Sequence, residues 1–197
     1  MNQKQDMIDT EETMLPEPDA ALLPYMEKLY PLTFALKQHK PWKTIYEYEA
    51  FAVRLPDGTS VTLNHYSSLS YPERFKSDDR EVELSGEAYF EVSKDSKHPF
   101  IVQTETIDVQ VLGTHFNVDA YPDNPDVKTT LLTGSVAVSN KNNSVRMVLK
   151  PNEVAIYNKV EQKLTRKVLE NAGDEISWRH GEFIFDDLPL QEIAREL

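Results

Sequence analysis

Cysteine is absent from the 197 residues. That removes disulfides, thiolate metal sites and any cysteine nucleophile, but leaves the compartment open between cytoplasm, periplasm and cell surface. Glycine is scarce and isolated, with six residues in all, so no G-x-G-x-x-G or Walker loop can be written to cradle a phosphate. Positive charge is also short. The chain carries 21 Lys and Arg against 33 Asp and Glu, a net charge of −12, and the bases do not cluster. Such a chain repels nucleic acid and anionic membrane surfaces, and neither is expected as a partner.

Long apolar runs are missing as well. A bilayer-spanning helix needs about 18 or more apolar residues in succession. The nearest approach, residues 22–36, is interrupted by Pro24, Glu27, Lys28 and Pro31. Residues 1–20 are acidic and proline-containing, unlike the basic start and apolar centre of a signal peptide. The five histidines, His39, His65, His98, His115 and His180, include no pair at two-, three- or four-residue spacing. No metal site and no cofactor are therefore expected.

What is present is alternation. In residues 84–118 apolar side chains recur at every second position: Ala88, Phe90 and Val92, then Ile107, Val109 and Val111. Side chains alternate faces along a strand, so this is the pattern of half-buried strands. Similar short runs follow at 51–55, 61–63, 127–132, 135–139, 144–149, 153–157 and 162–169. Turn chemistry separates them: Pro56-Asp57-Gly58, residues 140–143, and Pro151-Asn152. Gly86, Gly113 and Gly134 interrupt runs, as at a bulge or corner. Val53, Leu63, Leu84, Phe90, Val92, Val102, Val111, Phe116, Val118, Val136 and Val138 are expected in the core.

The fold class is all-β: a wound, β-solenoid-like structure or an irregular sandwich of many short strands, followed by the truncated start of a small α/β signalling domain. Three regions are expected. Residues 1–48 form an acidic, poorly ordered segment with short helical turns. Residues 49–170 form the β domain. Residues 171–197 begin a C-terminal domain, with a strand within 176–185 and then a helix carrying Leu190, Ile193, Ala194 and Leu197 on one stripe.

No catalytic constellation emerges. No serine lies in a G-x-S-x-G turn, and Gly134-Ser135-Val136 only opens a strand. Glu87 and Glu91 are spaced along one strand face as a glycosidase pair would be, but a solvated polar face accounts for them more simply. His115 is expected to be an exposed strand residue. Tyr66, Tyr71, Tyr89 and Tyr121 are the aromatics that an alternative reading, an extracellular carbohydrate-binding or glycan-processing β module, would use to stack on sugars.

The ordered blocks resemble the FecR family of sigma-factor regulators in its Bacteroidetes-type form. Residues 55–64 (LPDGTSVTLN), Ser70-Tyr71-Pro72, residues 80–92 with GEAYFEV, Pro99-Phe100-Ile101-Val102, VLGTHFNV at 111–118 with Tyr121, and Leu131-Leu132 with Gly134-Ser135-Val136 follow the family's order. Trp178, Gly181, Phe185, Pro189 and Leu190 are similar to the start of the domain that follows. The resemblance implies a periplasmic β domain and no enzymatic chemistry. It also implies two partners: the signalling domain of a TonB-dependent outer-membrane transporter, and an extracytoplasmic-function sigma factor reached through a cytoplasmic segment. This chain shows neither that segment nor the membrane helix recognisably, and its tail ends within the first helix of the last domain. Asn152 stands where the family usually has glycine after Pro151, and asparagine also tolerates positive φ. Partner contact is expected at Trp178, Phe183, Phe185, Leu190 and Ile193, with homo-oligomer formation through the exposed tail as a further expectation.

Overall fold

The computed structural model describes residues 42–47, 51–75 and 78–180. The expectations for residues 1–41, and the strand and helix expected after His180, lie outside them. The described residues fall in one compact unit that begins at Pro41.

Thirteen strands make the unit all-β. In chain order they are β1 (Trp42–Glu47), β2 (Phe51–Arg54), β3 (Ser60–Leu63), β4 (Ser67–Pro72), β5 (Arg80–Glu91), β6 (Phe100–Gln103) and β7 (Ile107–Val111). There follow β8 (His115–Ala120), β9 (Asp126–Thr133), β10 (Val136–Asn140), β11 (Arg146–Leu149), β12 (Glu153–Asn158) and β13 (Lys163–Val168). A 3₁₀ helix, Asp174–His180, closes the described chain. No helix occurs before it among the described residues, in keeping with the alternating pattern.

β5 organises the rest. It holds 12 residues and belongs to two sheets. Its first half pairs with β4 and, in parallel, with β6. Its second half pairs antiparallel with β3 and β8. The first sheet therefore runs β1-β4-β5-β6-β7-β10-β11, and the second runs β2-β3-β5-β8-β9-β12-β13. Only the β5–β6 pair is parallel among the pairings of the described strands. Of the two forms the sequence allows, this is the sandwich: a solenoid would stack its strands in parallel.

Gly86 is the point where β5 changes sheets. Its φ is +93°, and a Cβ there would meet Ser67 Oγ at 2.4 Å and Ser67 Cα at 2.8 Å. The close approach is used, because the Glu87 N–H donates to Ser67 Oγ at 2.8 Å. Only glycine combines that backbone angle with that proximity.

Both sheets turn their apolar faces onto one core. Phe90 and Phe116 of the second sheet stack with ring centroids 5.1 Å apart, and Phe90 reaches Phe100 of the first sheet at 6.2 Å. The expected core residues are buried except Val53, which lies on the short strand β2 next to the sheet edge and is only partly covered.

A polar knot ties the turn at Pro56-Asp57-Gly58 into this core. Arg80 opens β5 on its inward face. Its Nη1 donates to Asp57 Oδ2 at 2.6 Å and to the Ser93 carbonyl at 2.9 Å, and its Nε donates to the His98 carbonyl at 2.9 Å. The guanidinium lies 5.4 Å from the Phe100 ring centroid. Asp57 also accepts from the Thr59 N–H and hydroxyl, so one carboxylate sets the turn and neutralises the arginine.

Two expectations need correction. Residues 42–47 do not belong with a poorly ordered segment: they form β1, paired with β4 along its length. Their β-branched and aromatic content supports a strand, and Ile45 packs against the core, which outweighs the break signalled by Pro41. Residues 174–180 are 3₁₀ helix rather than strand. Asp174 and Glu175 in its first turn and Arg179 and His180 in its last complement the helix dipole.

Replacing Gly86 with alanine should lower stability by about 2 kcal/mol or more, through forced positive φ and overpacking against Ser67. Urea denaturation checks this. An unchanged midpoint would mean that the passage between sheets tolerates a side chain.

Candidate functional site

The outer face of the second sheet carries Glu87, Tyr89 and Glu91 of β5, with Asn117 and Asp119 of β8 beside them. Alternation alone would leave these residues in water. They are covered because the chain returns over them after β13.

Asn152 fixes that return. Its φ is +63°, the left-handed turn that the sequence permits at this position. Its carbonyl accepts the Leu169 N–H at 2.8 Å, and its side-chain Oδ1 accepts the Ala172 N–H at 3.2 Å. Glycine could supply the turn but not the second anchor. From there residues 171–180 lie as a strap on the sheet. Asn171 orders the strap's own turn, donating to Asp174 Oδ1 at 2.6 Å.

Two contacts hold the far end. The Arg179 guanidinium lies 3.9 Å from the Tyr89 ring centroid, a close cation–π stack. Arg179 also stands 3.8 Å from Glu91 Oε1, a long and partly exposed ion pair that adds little. Tyr89 is left 4% exposed and Trp178 8% exposed. Burial pushes the Tyr89 phenol up, with Glu91 adding and Arg179 opposing.

Glu87 is the unusual group beneath the strap. The expectation of a solvated Glu87 and Glu91 face is corrected here. Asn64 Nδ2 donates to one Glu87 oxygen at 2.6 Å and Asn117 Nδ2 to the other at 2.7 Å. Neither amide brings a charge. Burial, then the nearby Asp119 carboxylate, raise the Glu87 pKa from 4.5 to about 7, with the two amides opposing and Glu175 on the strap adding to the rise. The buried Asn117 Oδ1 has no hydrogen-bond partner. Turning that amide over would offer Oδ1 to a protonated Glu87 hydroxyl, so the site is built to hold the acid in its neutral form.

The arrangement does not perform covalent chemistry. No nucleophile faces Glu87, and no group of three or more metal-ligating side chains occurs among the described residues. It is a clasp between the β domain and the segment leading to the C-terminal region. Of the expected partner residues, Trp178 lies within the clasp and is buried. Phe183, Phe185, Leu190 and Ile193 lie outside the described residues. The sugar-stacking set is not assembled: Tyr71 and Tyr89 are buried, Tyr121 donates its hydroxyl to the His65 carbonyl, and Tyr66 alone is largely exposed. His115 is exposed, as expected. Asn152, Arg179 and the burial of Glu87 escaped the sequence reading. The available signal was Tyr89, a large aromatic on a nominally polar strand face, which demands a cover from elsewhere.

Comparison with known proteins places this architecture. Residues 45–137 match the family model described as FecR protein. Two crystal structures of a candidate anti-sigma factor from Parabacteroides distasonis ATCC 8503 are similar, each 36% identical, with TM-scores of 0.73 and 0.71. Each match covers 79% of this chain and 72% of the other. No curated protein matches.

Two outcomes are expected. Glu87 holds its proton more tightly folded than unfolded. Below about pH 4.5 both states are protonated; as pH rises towards 7 the unfolded chain loses the proton first, so folded stability falls through that window and the penalty stays constant above it. Glu87→Gln should flatten this fall and be more stable than the parent at pH 8, read by urea denaturation across pH. Parallel curves for the two proteins would contradict it. Arg179→Ala should free the strap by about 1 kcal/mol, roughly fivefold faster amide exchange in residues 171–180, while β5 and β8 stay protected. Uniformly unchanged exchange would show that the stack holds nothing.

Proposed function

The chain belongs to the FecR family, and we propose that it regulates a sigma factor by relaying the state of a TonB-dependent outer-membrane transporter through protein–protein contact. The observation that carries this reading is the match to solved anti-sigma candidates over most of the chain, on a β domain with no assembled catalytic or metal-binding cluster among its described residues. In this reading the protein acts in the periplasm and is not an enzyme. The β domain is a rigid base, and the clasp at Asn152, Tyr89 and Arg179 fixes where the C-terminal region departs from it.

Partner contact then falls to Phe183, Phe185, Leu190 and Ile193 beyond the strap, while Trp178 sets the base of that surface. No helix among the described residues is long and apolar enough to cross a membrane. Contact with the extracytoplasmic-function sigma factor is assigned to a separate, cytoplasmic segment of the system.

Calorimetry with the full-length protein and the isolated signalling domains of TonB-dependent transporters from the same genome tests the relay. One domain should bind saturably, and Phe185→Asp or Ile193→Asp should weaken it about tenfold or more, as expected for apolar anchors at an interface centre. Deleting the gene should change transcription from the promoters of one extracytoplasmic-function sigma factor. Altered transcription without transporter binding would keep the regulator and remove the relay. Neither effect would overturn both.

A further inference from the structure

The outer face of the second sheet is covered by the chain itself. That of the first sheet is not. There a groove of about 390 Å³ runs between residues 94–96, the turn at 112–114 and the paired strands β10 and β11. Its floor includes the cross-strand row Gln110, Ala137 and Val148, set side by side by the β7–β10 and β10–β11 registers. Leu112 and Val148 are 47% and 55% exposed, unusually open for large apolar side chains in this domain.

The walls carry charge of one sign. Lys94 lines one side and Arg146 of β11 another, and no carboxylate lines the groove. In a chain with a net charge of −12 that is a local reversal. Neither base has an ion-pair partner among the described residues. The nearby carboxylates are already engaged: Asp95 holds His98 at 2.7 Å, and Asp108 holds Lys141 at 2.6 Å. The next carboxylate along the floor row, Glu81, lies two strands beyond Gln110.

The groove is rigidly walled. The Asp95 N–H donates to the Leu112 carbonyl at 2.9 Å, and a Cβ on Gly113 would meet Lys94 Cα at 2.7 Å. The loop bearing Lys94 is thus packed onto the turn that follows β7. At the other end Thr114 Oγ1 donates to the Ser135 carbonyl at 3.0 Å.

We propose that this groove docks an extended, acidic segment of a partner protein. A small-molecule site would enclose most of its ligand, and this one is open along its length. A nucleic acid would meet the repulsion of the whole chain with only two bases to offset it. An extended peptide can lay alternate apolar side chains on Ala137, Val148 and Leu112 while its carboxylates reach Lys94 and Arg146. The strand period of the floor matches that of such a segment. The surface lies on the opposite sheet from the strap, so its existence does not depend on the relay proposed above.

Fluorescence anisotropy with the full-length protein tests it, using a labelled peptide of alternating Glu and Val, a Lys-for-Glu counterpart and a Ser-for-Val counterpart. The Glu–Val peptide should bind best, and its affinity should fall with added salt. The double variant Lys94→Glu with Arg146→Glu should weaken it about tenfold, the combined effect expected of two exposed ion pairs. Val148→Ser should weaken it without altering the salt dependence. Both substitutions lie on exposed positions, and thermal melts should match the parent. Equal binding of the Glu and Lys peptides, or affinity unchanged in the double variant, would overturn the proposal. So would absence of peptide binding together with a dimer by light scattering that Val148→Ser dissociates, which would assign the groove to a second copy.

Discussion

One strand serves two sheets, and it can do so only because residue 86 has no side chain. At Gly86 the backbone takes a left-handed angle and passes against Ser67, and β5 leaves the first sheet to continue in the second. Everything that makes the domain a single body follows from that passage. The inward faces of both sheets meet over Phe90, Phe100 and Phe116, whose full burial is worth roughly 1.5–3 kcal/mol each. The same passage places Arg80 at one end of β5 and the Glu87–Tyr89–Glu91 face at the other. The strand is both the shared wall of the core and the spacer between two polar constellations.

Those constellations illustrate opposite solutions to burying charge. Arg80 keeps its charge, because Asp57 neutralises it and two backbone carbonyls accept its remaining protons. Such a pair is dear to break and contributes more to a unique arrangement than to net stability. Glu87 has no cation within its shell. Two neutral amides hold it while Asp119 and Glu175 repel it, so the cheaper response is to take up a proton. The first constellation locks a turn into the core. The second leaves a titratable group under a segment anchored by one asparagine and one cation–π stack.

Much of the β domain was legible because its signals are local. Alternation located β3 and β5 through β13 closely, and the turn residues separated them for stated reasons: Gly58, Asn143 and Asn152 all take positive φ. The family blocks carried the remaining identification. What was not legible is non-local. β1 joins the sheet because β4 offers it a free edge, a fact absent from residues 42–47 themselves. Glu87 is buried by residues more than eighty positions later, so its own alternation phase pointed to water. The 3₁₀ helix was read as strand because Ile176 and Trp178 alternate, whereas its acidic start and basic end favour a helical turn.

The two outer faces now differ in kind. On the second sheet the chain supplies its own cover, and Tyr89 and Trp178 are withdrawn from any partner while the strap is seated. On the first sheet the apolar side chains of Leu112 and Val148 remain open between two bases that nothing else neutralises. A domain whose only task was to space a membrane from a C-terminal region would have no cause to keep such a surface uncovered, since exposed apolar side chains near the end of a sheet invite association. The charge on the groove walls narrows what can associate: it repels bases, attracts carboxylates, and favours a segment extended enough to match the strand period beneath it. The rigid core set by β5 therefore holds two surfaces apart, one closed by the chain and one selective for another.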